Sequence, residues 1–198
     1  MIPRTIVLLA CSTLFSAASC AQMISRAAAQ EPNTPMPEMK ADASSAKKGL
    51  PSPSAAAEVS LDGKKVMVRY NAPSARGRKI MGGVVPYGTV WRTGANPATT
   101  LVTAANLKIG TLTVPAGTYT LYTLPSADTW MLIVNKQTGQ WGTVYKEDMD
   151  LGRTPMTGNP VAKPQETMSI SFENTKGNST ELHVKWESTD RYVTVAAQ

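Results

Sequence analysis

The sequence predicts an all-β protein: an antiparallel β-sandwich or jelly-roll-like barrel of about seven to ten strands, preceded by a signal peptide and a disordered linker. Three observations predict it. Apolar residues recur every second position near the C-terminus. Met168, Ile170 and Phe172 oppose Ser169, Ser171 and Glu173, and Leu182, Val184 and Trp186 alternate with Glu181, His183, Lys185 and Glu187. A period of two marks a strand with one buried face. Turn-forming residues interrupt the chain at Asn71–Pro73, Gly82-Gly83, Pro115-Ala116-Gly117, Pro125 and Lys176-Gly177-Asn178. No segment sustains a 3.6-residue period with caps.

From the N-terminus, Met1–Arg4 carries one positive charge and Ile6–Ala18 is largely apolar, with small residues after it. This is the pattern of a secretory signal over residues 1–21. Its apolar stretch is too short for a bilayer, which needs about 20 residues, and no later stretch reaches that length. Two processing readings stand side by side. Ala17-Ala18-Ser19-Cys20 resembles a lipoprotein processing site, with Cys20 the residue to be lipidated. Cleavage after Ser19-Cys20-Ala21 or Ala27-Ala28-Ala29 fits the small-x-small rule equally. Either way the expected address is exported: periplasm or cell envelope, lipid-anchored, or secreted.

Cys11 and Cys20 are the two cysteines of the chain. A domain cut free of them holds no disulfide, no thiolate nucleophile and no cysteine metal site. Residues 22–54 are rich in Pro, Ala and Ser and lack aromatics, a composition that cannot offset its own ordering entropy. They read as a disordered tether.

Residues 55–198 are long enough for one domain with its own core. Glu58–Leu61, Asp62-Gly63 and Val66–Tyr70 read as a hairpin, with Asp-Gly supplying the positive φ angles of its turn. Gly117–Leu124 alternates around Tyr119 and Leu121. Trp130–Val134 is almost continuously apolar, as for a strand covered on both faces. The alternating segments around Ile170 and Val184 follow, and Tyr192–Val195 ends the series.

Arg76 through Asn96 (RGRKIMGGVVPYGTVWRTGAN) closely resembles a family of exported bacterial domains named domain of unknown function 2911. The resemblance continues through Pro115–Leu121, Asn135-Lys136, Gln140-Trp141-Gly142 and Asp150–Arg153. Where an acidic residue often follows the Gly-Ala-Asn of that family, this chain has Pro97. The resemblance implies a β-rich exported domain and carries no activity with it.

The chemistry-bearing residues are few. His183 is the single histidine. Strand parity puts it on the polar face, where a solvated imidazole is expected. Asp148 and Asp150 read as a solvated loop, without the spacing of a calcium loop. No metal site and no cofactor are expected. Arg76, Arg78 and Arg92 form the densest cationic group, with Lys79 beside them. Guanidinium groups bind carboxylate or phosphate through paired donors. Trp91 or Tyr87 is read as a stacking partner for a ligand, Asn96 as a further contact, and Trp141 as the surface aromatic best suited to a sugar. Trp130 and Trp186 fall on the core side by parity. The competing reading makes Arg76-Gly77-Arg78 a turn and pairs Arg92 with a structural carboxylate.

Formal net charge is +6, and residues 1–54 hold five cations against three anions, leaving +4 for the domain. That mild excess, with no nucleic-acid motif, excludes nucleic acid as the expected partner. The function expected is a noncatalytic binding module for an envelope glycan, a peptide or an anionic ligand, with the membrane reached only through a lipid anchor. Two alternatives remain: a hydrolase of envelope glycans or peptides using carboxylates and arginine, and a structural or assembly protein. The oligomeric state stays open.

Overall fold

The structure is a computed structural model and describes residues 52–198. The signal peptide, Cys20 and nearly all of the predicted linker lie outside the described residues. Among those described there are eleven strands and one 3-10 turn, Glu147–Met149. The strands are β1 (Ser54–Leu61), β2 (Lys64–Asn71), β3 (Thr99–Thr103), β4 (Leu107–Ile109), β5 (Leu112–Val114) and β6 (Gly117–Leu124). They continue as β7 (Trp130–Asn135), β8 (Asp150–Asn159), β9 (Gln165–Lys176), β10 (Ser179–Glu187) and β11 (Thr189–Ala197).

The strands pair in the order β1-β2-β3-β6-β7-β8-β11-β10-β9, with β4 attached to β11 and β5 to β4. Every pair of named strands is antiparallel. The result is a nearly closed, barrel-like sheet. Strand β8 turns the corner: Asp150–Met156 pair with β7, while Thr157–Asn159 pair with β11.

The β1–β2 hairpin closes through Asp62 (φ 49°) and Gly63 (φ 72°), the left-handed pair that matches strand twist in a two-residue turn. Inside the sheet, Val66, Val68, Leu101, Leu121, Leu132, Val134, Ile170, Leu182, Val184 and Val195 form one continuous core. A second cluster, Ala98, Tyr122 and Ile133, lies with Val90, Leu124 and Tyr145 packed against it. Tyr122 and Ile133 face each other across β6–β7, beside the core pair Leu121 and Val134. This explains the unbroken apolar run of β7: both its faces are covered.

The two ends of the strand order meet without a full ladder. The seam is drawn together just after β2, where Met168 N–H donates to Pro73 O (2.9 Å) and Ala75 N–H to Glu166 O (2.8 Å). Tyr70 also donates its hydroxyl to Ile170 O (3.3 Å). From there residues 72–98 run across to β3 without a regular strand and insert Ile80, Met81, Val85 and Trp91 into the core. A long connection held by its own buried side chains is the usual carrier of a binding site on a rigid scaffold. Among the described residues, no helix is long and apolar enough to cross a membrane.

Candidate functional site

The segment singled out by the sequence lies on this connection. Arg76 (φ 51°) and Gly77 (φ 70°) make a left-handed turn, and Arg78 holds it: its Nε donates to Ala75 O (2.9 Å) and its Nη2 to Ser74 O (2.8 Å). The Arg76 amide donates to Glu166 Oε1 on β9 (2.8 Å). Gly83 is required for room, because a Cβ there would collide with the Lys79 carbonyl oxygen.

Trp91 anchors the next stretch. Its amide and carbonyl bridge to Thr123 on β6, and its indole Nε1 donates to Gly94 O (3.2 Å). The ring packs parallel to Trp186 (centroids 5.9 Å, 21°) and edge-on to Trp130 (6.3 Å, 88°). It is only 8% exposed. Most of the Trp91 ring surface is taken up by the core, with Trp186 on one face. Trp130 and Trp186 are core residues, as parity predicts.

These elements enclose a cleft of about 390 Å³ lined by Arg76, Arg78, Arg92 and Asn96, with Trp91 and Trp186 as its aromatic wall and Val84 and Ser74 at its sides. Five of the seven sequence candidates converge here. Tyr87 and Trp141 are not among the lining residues. Tyr87 is exposed and packs over Gly82. Among the described residues, no aspartate or glutamate lines the cleft.

Arg92 is the unusual member. Its stem lies against Gly142, where any Cβ would collide with Arg92 Cδ. Its Nε is buried and has no hydrogen-bond partner, and no ion pair to it is present among the described residues. Burial pushes the guanidinium below its ordinary value, because a charge withdrawn from water is disfavoured. The carboxylate partner that the competing reading assigns to Arg92 is not found among the described residues. Around it the backbone is strained: Arg76, Thr93 and Asn96 adopt left-handed φ angles of 51°, 53° and 60°. Non-glycine residues hold such angles only where their surroundings fix them, at a cost of about 1–3 kcal/mol each. Thr93 is fixed by hydrogen bonds from its hydroxyl to Trp91 O and Thr123 Oγ1, and by one that its carbonyl accepts from Thr99 Oγ1 (2.8 Å).

Two further expectations are corrected. His183 is 1% exposed rather than solvated. Its Nδ1 lies 2.8 Å from Asp190 Oδ1 and its Nε2 lies 3.2 Å from Glu181 Oε2, while Tyr192 stacks on the ring at 4.9 Å. Parity correctly gives the face, but it is silent on side chains from β9 and β11 that cover that face. Asp150 is no solvated loop residue either. It opens β8 and accepts from Asn135 Nδ2, Tyr145 Oη and Arg153 Nε. Burial and the Asp150 carboxylate together raise the Tyr145 phenol to about 12. No trio of His, Cys, Asp or Glu among the described residues is placed to hold a metal.

What sequence reasoning missed is the contribution from outside the segment: Trp186 from β10, Ser52 before β1, and Gly142 behind Arg92. The Gln140-Trp141-Gly142 triplet was the one available signal. Compared with known proteins, residues 52–195 match a family model described as "Protein of unknown function (DUF2911)". No curated protein and no solved structure matches the chain.

Proposed function

The chain belongs to the DUF2911 family, whose description names no activity, and from that premise we propose that the domain is a binding module for an anionic ligand held in the arginine cleft. The observation that carries this reading is Arg92. A cation with a buried, unpartnered Nε, in a cleft lined by two further arginines and no carboxylate, lacks its counter-charge within the described residues. A carboxylate or phosphate supplies that counter-charge, and guanidinium groups bind such anions through paired donors. Left-handed backbone at three lining or adjacent positions supports a preorganised pocket. The hydrolase alternative asks for two carboxylates beside Arg92, and the lining provides neither.

Isothermal titration with inorganic phosphate and with acetate tests the reading. Wild-type protein should bind at least one of them, Arg92→Ala should abolish binding, and Arg92→Lys should restore it only in part, since an ammonium lacks the paired donors. Wild-type protein that binds no anion overturns the proposal. The same reading places the domain outside the cytoplasm on the strength of residues 1–21. Mass spectrometry of the mature N-terminus tests that address: a lipidated Cys20, or an unmodified Gln22 or Gln30, supports export, and an intact Met1 overturns it.

A further inference from the structure

We infer that the cleft takes a small organic anion with a hydrocarbon body: its carboxylate or phosphate head serves Arg92, and its apolar body lies on Val84. This rests on the anionic-ligand reading above and specifies it. Size is the first observation. A cleft of about 390 Å³ falls within the range of about 300–1,000 Å³ that small-molecule sites occupy. A bare acetate or phosphate leaves most of that space to water. Charge is the second observation. Arg78 commits its Nε and Nη2 to the carbonyls of Ala75 and Ser74. Arg92, with its buried Nε unpartnered, still lacks a counter-charge within the described residues. One such cation calls for one anionic head group.

The third observation is the wall that shares the cleft with that charge. The large apolar side chains exposed among the described residues are Val84, Tyr87, Trp141 and Val144, and of these Val84 alone lines the cleft. Val84 is 46% exposed, yet its backbone is fixed. Its N–H donates to Lys79 O (3.1 Å), Val85 N–H to Ile80 O (2.9 Å), and Gly82 N–H to Val85 O (2.9 Å). Ile80 and Val85 are both buried and hold this turn to the core. An apolar side chain already ordered loses little freedom when a ligand covers it, and covering it removes hydrocarbon from water. Pro73, Ala95, Trp91 and Trp186 extend the apolar lining. A polyhydroxylated body would ask for strong acceptors, and no carboxylate lines the cleft among the described residues.

The test is isothermal titration in two series: acetate, hexanoate and gluconate, then inorganic phosphate, monobutyl phosphate and glucose 6-phosphate. In at least one series the anion with the hydrocarbon body should bind at least about tenfold tighter than its simple anion, and that series names the head group. The hydroxylated member of the same series should lack this advantage. Val84→Ser should remove most of it and leave acetate and phosphate affinities unchanged. Val84→Thr, of the same shape, should remove part of it, which keeps the test open should the serine variant fail to fold. Arg92→Ala should abolish binding of every anion. Equal binding of hydrocarbon and simple anions overturns the hydrocarbon proposal and leaves the anion reading standing. So does a hydroxylated anion that matches the hydrocarbon one, or an advantage that survives substitution of Val84. Hydrocarbon anions that still bind Arg92→Ala, or no binding by any anion, overturn both readings together.

Discussion

Trp91 lies flat against Trp186, ring centroids 5.9 Å apart and planes 21° from parallel. One indole comes from the long connection after β2, the other from β10, so this contact ties the loop bearing the arginines to the far side of the barrel seam. Trp186 also donates its Nε1 to Glu166 O (3.1 Å) on β9. Stability and cleft shape therefore share the same pair of rings.

Trp91→Ala should accordingly cost about 3–5 kcal/mol, the usual range for emptying a buried tryptophan site. Urea unfolding measures it. Binding in the surviving folded fraction should weaken too, because Arg92 and Thr93 follow directly in the chain. A loss under 1 kcal/mol would contradict the core role assigned to Trp91.

Arg92 predicts the opposite balance. Arg92→Met keeps an apolar stem against Gly142 and deletes the unpartnered guanidinium. Removing a buried polar group that lacks a partner should raise stability by about 1 kcal/mol, with anion binding lost. Gain of stability with loss of binding is the mark of a residue kept for function. A variant that unfolds more easily than wild type instead assigns Arg92 a structural role.

The acidic limb of stability should trace to the outer face of β9–β10. Burial alone would raise the Glu173 carboxyl, but hydrogen bonds from Lys185 (2.9 Å) and Ser171 (2.6 Å) outweigh it and hold it below its ordinary 4.5. Hydrogen bonds with Asn174 and His183 depress Glu181 likewise. A carboxyl lowered in the folded state stabilises fully above its unfolded value and loses that contribution as pH falls through the folded one. The loss should thus fall below about pH 4.5. Glu173→Gln should be less stable at pH 7 and show a shallower decline toward pH 3 in urea midpoints. Parallel curves for variant and wild type would exclude Glu173 as a source of the limb.

The strands that alternate cleanly were readable because one face meets core and the other water. Strands β3, β4, β5 and β8 were not named. In β3 the core-facing positions include Thr99 and Thr103, hydroxyls satisfied inside the protein, so its pattern lacks contrast. Strands β4 and β5 have three residues each, too few for a period. Strand β8 carries Gly152, Pro155 and Gly158, which read as breakers. Pro155 is tolerated because β11 pairs only from Thr157 onward. The arginine cluster was visible as composition, and its convergence is a product of the fold. That Arg92 lacks a carboxylate, and that His183 is covered, depend on neighbours distant in sequence.

Gly142 gives the sharpest separation between lining the cleft and shaping it. It is not a lining residue, yet a Cβ there would collide with Arg92 Cδ and lie 2.7 Å from Asn96 O. Gly142→Ala must therefore displace the Arg92 stem, the Asn96 backbone or its own loop. Overpacking of this kind costs about 1–3 kcal/mol. Because the displaced atoms belong to two cleft residues, binding of phosphate or acetate should drop by at least about tenfold in protein that remains folded. Gly139, in the same loop with nothing within 4 Å of its Cβ position, is the control. Gly139→Ala is strained by its φ of 77° and should cost stability while leaving anion affinity intact. Equal effects of the two substitutions on binding would mean that general loosening of the loop, and not the contact between Gly142 and Arg92, sets the cleft.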